Sequence, residues 1–174
     1  MSKLRRIFNF DFDNFAETTI VAFLNQSPWS RSIASGGVLM VKPSGYVLLI
    51  KNTHPNWTLL DDLGGRTELS DQSIWDTIIR EVEEESNGLI NLAQSVLQQS
   101  PQVYVPASKY LCCLIKVDDH EYNDTSIFGE REIADNILRT LHWMKYDDQL
   151  QQKMSHRLQS QDIIKEIKKI FLLQ

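Results

Sequence analysis

The chain predicts an α/β fold, and two features predict it. Extended apolar runs at residues 38–41, 46–51 and 110–117 are interleaved with helical patterns at residues 71–86 and 160–173. Both helices have one apolar stripe, and such a stripe has to be buried against another element. The size is right for one core: 174 residues, 42% hydrophobic and 24% charged, is an ordinary soluble domain that needs no disulfides.

Residues 1–35 are mixed in character and read as an N-terminal extension packing on a main domain of residues 36–174. Within the extension, residues 18–24 read as a short helix or strand, and Gln26-Ser27-Pro28-Trp29-Ser30 as a turn. Gly36-Gly37 opens the β-rich part. Residues 38–41 and 46–51 form a hairpin across Pro43-Ser44-Gly45. Residues 57–60 read as a short strand. Residues 61–70, with two glycines and few apolar side chains, read as a loop.

Residues 71–86 read as a helix. Ile74, Ile78 and Val82 recur four apart, Ser70 or Asp71 can cap the start, and Asn87-Gly88 stops the end. Weak strands follow at 89–92 and 102–105, then a strong one at 110–117. Residues 118–125 are a polar loop, and 133–141 fits helix or strand. Residues 142–144 end a strand, and Asp147-Asp148 starts a short helix. In the last helix Ile163, Ile164, Ile167, Ile170 and Phe171 form the stripe.

The net charge of −5 excludes the broad basic field of a typical nucleic-acid binder. The only cysteines, Cys112 and Cys113, are adjacent. On a strand they point to opposite faces and suit neither a disulfide nor a shared zinc site. No run approaches the ~20 apolar residues of a membrane span. The basic start is followed by a charge-interrupted stretch rather than a signal segment. The expected place is the cytoplasm, with no membrane partner.

Chemistry concentrates in the helix. Glu81, Glu84 and Glu85 lie at i, i+3 and i+4, so at ~3.6 residues per turn their carboxylates share a face. Like charges so placed repel. Solvent and neighbouring cations such as Arg80 offset that repulsion in an ordinary acidic face. A hard divalent cation offsets it in a metal site. Gly64-Gly65-Arg66-Thr67-Glu68, immediately upstream, shifts the balance toward a site, because paired glycines admit a ligand close to the backbone.

Together these residues resemble the signature of the Nudix hydrolases. Gly65 is followed after five residues by Asp71, then after eight more by Arg80-Glu81-Val82-Glu83-Glu84-Glu85, with Gly88 closing the motif. The departures are Asp71 in place of a glutamate, one extra residue before Arg80, and one extra before Gly88. Asp61-Asp62-Leu63 also replaces the commoner Leu-Pro ahead of the glycines. The resemblance implies an α/β/α sandwich with a mixed central sheet and Mg²⁺ or Mn²⁺ as cofactor. It implies metal ligation by Glu84 and Glu85, with Glu81 a ligand or a base and Gly65 offering a backbone carbonyl. Arg80 is implied to fix a glutamate by pairing with Asp71 or Glu68. Glu83 is expected to be a solvated surface residue.

Further candidates are Glu130, with Glu132 beside it, as an acidic group from a later loop. Lys51 and Arg66 are candidates for phosphate contact. Trp57, Tyr46, Phe128 and Trp143 are candidates for base stacking, although burial is the commoner fate of an aromatic. The four histidines are scattered. The implied activity is hydrolysis of a phosphoanhydride in a nucleoside diphosphate linked to another moiety. RNA 5′-end decapping, served by Lys3, Arg5, Arg6 or the C-terminal lysines, and non-catalytic nucleotide sensing stay open. So does a homodimer.

Overall fold

Strand β3 (Ser35–Lys42) lies at the centre of the computed structural model, which describes residues 8–9, 32–53 and 58–172. All eight of its residues are buried, as a strand covered on both faces requires. One edge pairs in parallel with β7 (Tyr110–Lys116), from Ser35↔Tyr110 to Val41↔Lys116. The other edge is shared. Its C-terminal end pairs antiparallel with β4 (Tyr46–Asn52) at Val41↔Val47 and Lys42↔Tyr46. Its N-terminal half pairs antiparallel with β5 (Leu63–Arg66), from Ser35↔Arg66 to Val38↔Leu63. Beyond Val47, β4 leaves β3; its other edge pairs antiparallel with β8 (Arg139–Lys145) along its whole length, from Tyr46↔Lys145 to Asn52↔Arg139. Strand β6 (Gln102–Val105) pairs antiparallel with β7. The result is a mixed sheet in the order β6-β7-β3-β4-β8, with β5 wedged beside β3. A separate two-stranded ribbon joins β1 (Phe8–Asn9) to β2 (Ser32–Ile33).

Helices cover both faces. Helix α1 (Ile74–Glu85) places Ile74, Trp75, Ile78 and Val82 against Val38, Met40, Leu63 and Cys113. Helix α2 (Gln94–Gln99) adds Leu97 to that face. On the other face, α3 (Asp148–Lys153) and α4 (Gln161–Phe171) pack Leu150, Ile163, Ile167 and Ile170 against Leu39, Val41, Leu49 and Cys112. Cys112 and Cys113 therefore do face opposite layers, as strand alternation requires. The architecture is the expected α/β/α sandwich. No helix among the described residues is long and apolar enough to cross a membrane.

Several elements differ from expectation. Gly64 and Gly65 lie in β5, not in a loop, and face a second glycine pair in the register Gly36↔Gly65 and Gly37↔Gly64. Helix α1 starts later than residue 71 and is capped by Ser73, not by Ser70 or Asp71. Ser73 and Asp76 form a reciprocal capping box, satisfying two backbone donors at once. Residues 89–92 form no strand, α2 had no clear sequence signal, and residues 133–138 are loop before β8. Trp57 and the N-terminal Lys3, Arg5 and Arg6 lie outside the described residues, as does most of the expected extension.

Candidate active site

Helix α1 ends in a Schellman motif. Asn87 takes the left-handed position at φ 55°, its N–H donates to Glu84 O, and Gly88 N–H donates to Glu83 O. The helix thereby stops one turn after Glu81, leaving Glu81, Glu84 and Glu85 at its last turns beside β5.

The glycines of β5 make room for these carboxylates. A Cβ on Gly65 would run into the Glu81 carboxyl, and a Cβ on Gly64 would run into Gly37 and the Tyr110 hydroxyl. Neither Gly64 nor Gly65 has a positive φ, so close approach, not turn geometry, is what they supply. Gly64 N–H donates to Glu85 Oε2 at 2.6 Å.

Arg80 ties the cluster together. Its Nε donates to Asp71 Oδ1 and its Nη2 to Asp71 Oδ2, both at 3.2 Å. Its Nη1 reaches Glu81 Oε1 at 2.9 Å and Glu84 Oε2 at 3.0 Å. Its Nη2 also donates to the Arg66 carbonyl at 2.9 Å. Asp71 is buried and accepts the Glu68 N–H and the Thr77 hydroxyl as well, both at 2.7 Å. Burial acts against the charged forms of both partners, but these bonds outweigh it, holding the Asp71 carboxyl below its ordinary range and the Arg80 guanidinium above its own.

The glutamates behave oppositely. Burial pushes Glu81 up to about 7 despite Arg80, with the charges of Glu84 and Glu132 adding to the rise. Burial, then Glu81, Asp62 and Glu132, raise Glu85 well above the carboxylate range. Glu84 is raised mainly by burial, against the pull of Arg80. Carboxylates outnumber guanidiniums here: Asp71, Glu81, Glu84, Glu85 and Glu132 gather around Arg80 and Arg139, and the glutamates are held toward their protonated forms.

Of the two later acids, Glu132 is the one brought to this cluster. It is buried, and its pKa is raised by burial and then by Asp135 and Glu84. Glu130 is exposed, and its carbonyl accepts the Arg139 N–H at 2.9 Å. Buried Arg139, unremarked in the sequence, donates through Nη1 to the carbonyls of Phe128 and Gly129 at 3.0 and 2.9 Å. Its Nε and Nη2 have no hydrogen-bond partner, and its nearest charges are Glu85 and Glu132.

The other candidates are placed as follows. Arg66 is exposed at the end of β5; its carbonyl accepts Arg80 Nη2, and by alternation its side chain leaves on the face opposite Gly65. Lys51 is exposed on β4 and, by alternation, belongs to the Val47 and Leu49 face, away from α1. Glu83 is exposed, as expected. Phe128 is a core residue against Tyr122, Trp143 donates to the Tyr122 carbonyl beneath Lys42, and Tyr46 is partly exposed at the hairpin.

A second charged network lies behind the glycines on the α4 side. Fully buried Asp62 accepts the Tyr110 hydroxyl at 2.6 Å and Arg157 Nη2 at 3.0 Å. Arg157 also pairs with Asp61 at 2.8 Å and stacks on the Tyr110 ring.

The donor set is one of hard oxygens, which is what Mg²⁺ and Mn²⁺ take, and a divalent cation would favour the ionised forms of these crowded glutamates. Among the described residues no three acidic, histidine or cysteine side chains stand ready around one metal position, and Arg80 Nη1 bonds both Glu81 and Glu84. The chemistry of the donors fits such an ion.

No family model and no curated protein matches the chain. Among solved structures, it is similar to the Nudix domain of Shewanella oneidensis NrtR complexed with ADP ribose, at 17% identity over 89% of this chain and 98% of that one, TM-score 0.49. It is similar to a C. elegans Ap4A hydrolase, at 14% identity over 79% of this chain and 93% of that one, TM-score 0.46. A third is a Francisella tularensis bifunctional NMN adenylyltransferase/ADP ribose pyrophosphatase complexed with AMP and a manganese ion, at 16% identity and TM-score 0.40. The match covers 80% of this chain but only 41% of that longer one.

Proposed function

We propose that this chain is a Nudix-type, divalent-metal-dependent hydrolase of a phosphoanhydride in a nucleoside diphosphate linked to another moiety. One observation carries the reading. The intact Arg80-Glu81-Val82-Glu83-Glu84-Glu85 signature folds so that its carboxylates crowd against a glycine strand, where burial and one another's charges raise them above the ordinary range.

Glu81, Glu84 and Glu85 are the residues that would hold Mg²⁺ or Mn²⁺, with Glu132 as the additional acid. When bound, such an ion supplies Lewis-acid polarisation of a phosphoryl oxygen and lowers the pKa of water. Arg80 fixes the rotamers of Glu81 and Glu84 from below, using Asp71 as its own anchor. Gly64 N–H orients Glu85. Gly65, without a side chain, lets the Glu81 carboxyl pack directly against β5. Arg66, exposed at the end of β5, stays a candidate for phosphate contact.

The test is phosphate or nucleotide release from a panel of nucleotide sugars, dinucleotide coenzymes, dinucleoside polyphosphates and nucleoside triphosphates, with Mg²⁺, Mn²⁺ or EDTA. The reading expects turnover of at least one diphosphate-linked substrate, abolished by EDTA. EDTA-insensitive turnover would overturn it, and tight binding without turnover of any substrate would favour a nucleotide sensor.

A further inference from the structure

The side chain of Asn87 does something that helix termination does not require. A glycine would serve the left-handed position at the end of α1 equally well. Asn87 instead sends Nδ2 to the carbonyls of Phe128 and Arg131 at 2.8 and 2.9 Å, and its Oδ1 accepts the Ile133 N–H at 3.0 Å. All three bonds go to one segment, residues 128–133, which lies more than 40 residues away in the chain. That segment carries Glu132. Arg139 grips the same segment through the carbonyls of Phe128 and Gly129. Glu132 N–H is held by the Ile137 carbonyl. Asn87 is two residues from Glu85, so its amide bolts the Glu132 segment directly to the end of the carboxylate helix.

We infer that Asn87 is a positioning residue that sets Glu132 opposite Glu81, Glu84 and Glu85 for divalent-cation binding. The inference rests on the metal reading above. It gives a use to the additional residue between Glu85 and Gly88.

The test is calorimetric titration of Mn²⁺ into the full chain as wild type, N87G, E132Q and the double variant, without substrate. N87G keeps a residue suited to φ 55° and removes only the clamp. The expected result is a loss of Mn²⁺ affinity of about 10- to 100-fold in N87G and a similar loss in E132Q. The double variant binds no more weakly than the weaker single, because both act through one carboxylate. Hydrogen exchange at the Ile133 amide accelerates in N87G and not in E132Q. N87S, too short to span to the segment, takes the place of N87G in the cycle if the glycine variant does not unfold cooperatively. Affinity of N87G within about twofold of wild type, or losses that add in the double variant, would overturn the inference while leaving the metal reading intact. A wild-type protein that binds no Mn²⁺ would overturn both.

Discussion

Asp71 and Arg80 meet side-on, Nε to Oδ1 and Nη2 to Oδ2, each at 3.2 Å, and this geometry explains how an aspartate serves where a longer acid is the commoner choice. Helix α1 begins only at Ile74, so residue 71 precedes it and the chain brings Asp71 back against the first turns. Thr77 and the Glu68 N–H hold the carboxylate there. Replacing Asp71 by alanine removes charged hydrogen bonds to Arg80 and strands the Thr77 hydroxyl. The expected loss is about 1.5–3 kcal/mol in urea unfolding. Turnover should fall as well, because Arg80 loses the anchor from which it orients Glu81 and Glu84.

The two glycines of β5 predict different failures. Gly65→Ala pushes against the Glu81 carboxyl, the movable end of a side chain, so it should weaken Mn²⁺ binding with little change in unfolding midpoint. Gly64→Ala pushes against the backbone of Gly37 and the buried Tyr110 hydroxyl, which cannot move aside. Overpacking of that kind costs about 1–3 kcal/mol. Thermal unfolding of the two variants side by side distinguishes them; equal midpoints would contradict the packing described.

These glycines also show where the sequence stops being legible. Helix α1 carries its own periodicity and the β3–β4 hairpin its own apolar runs and turn, so both can be read locally. Strand β5 cannot, because Leu63–Arg66 contains two glycines with poor strand propensity and is held by the opposing Gly36 and Gly37. The acidic helix face was legible for the same local reason. The choice of Glu132 over Glu130 was not, since it is decided by Asn87 and Arg139 acting from elsewhere in the chain. The Asp62–Arg157 pair joins residues 95 apart, and no local pattern announces it.

Asp61 predicts a pH dependence of stability. Burial, and then the adjacent Asp62 charge, push its pKa up from 3.8 to about 7, against the opposing pull of Arg157 and Ser155. A raised carboxyl favours the folded state when protonated. Its contribution is therefore fully present below the ordinary carboxylate range and is lost as pH rises through about 7. The Asp61 side chain keeps 38% of its surface, so solvent screens the effect and the slope should be shallow. Unfolding midpoints measured from pH 5 to pH 8 should fall in wild type and fall less in Asp61→Asn. A variant with the wild-type slope would assign the dependence elsewhere.

If the carboxylates at the end of α1 perform metal-dependent hydrolysis, Glu84 and Glu85 are indispensable to turnover and Glu83 is not. The most direct measurement is the initial rate on the best substrate at saturating Mn²⁺ for wild type, Glu84→Gln, Glu85→Gln and the surface control Glu83→Gln. Glu84→Gln and Glu85→Gln should each lose at least about 100-fold in kcat, while Glu83→Gln retains the wild-type rate. Wild-type turnover in Glu84→Gln and Glu85→Gln would contradict that role.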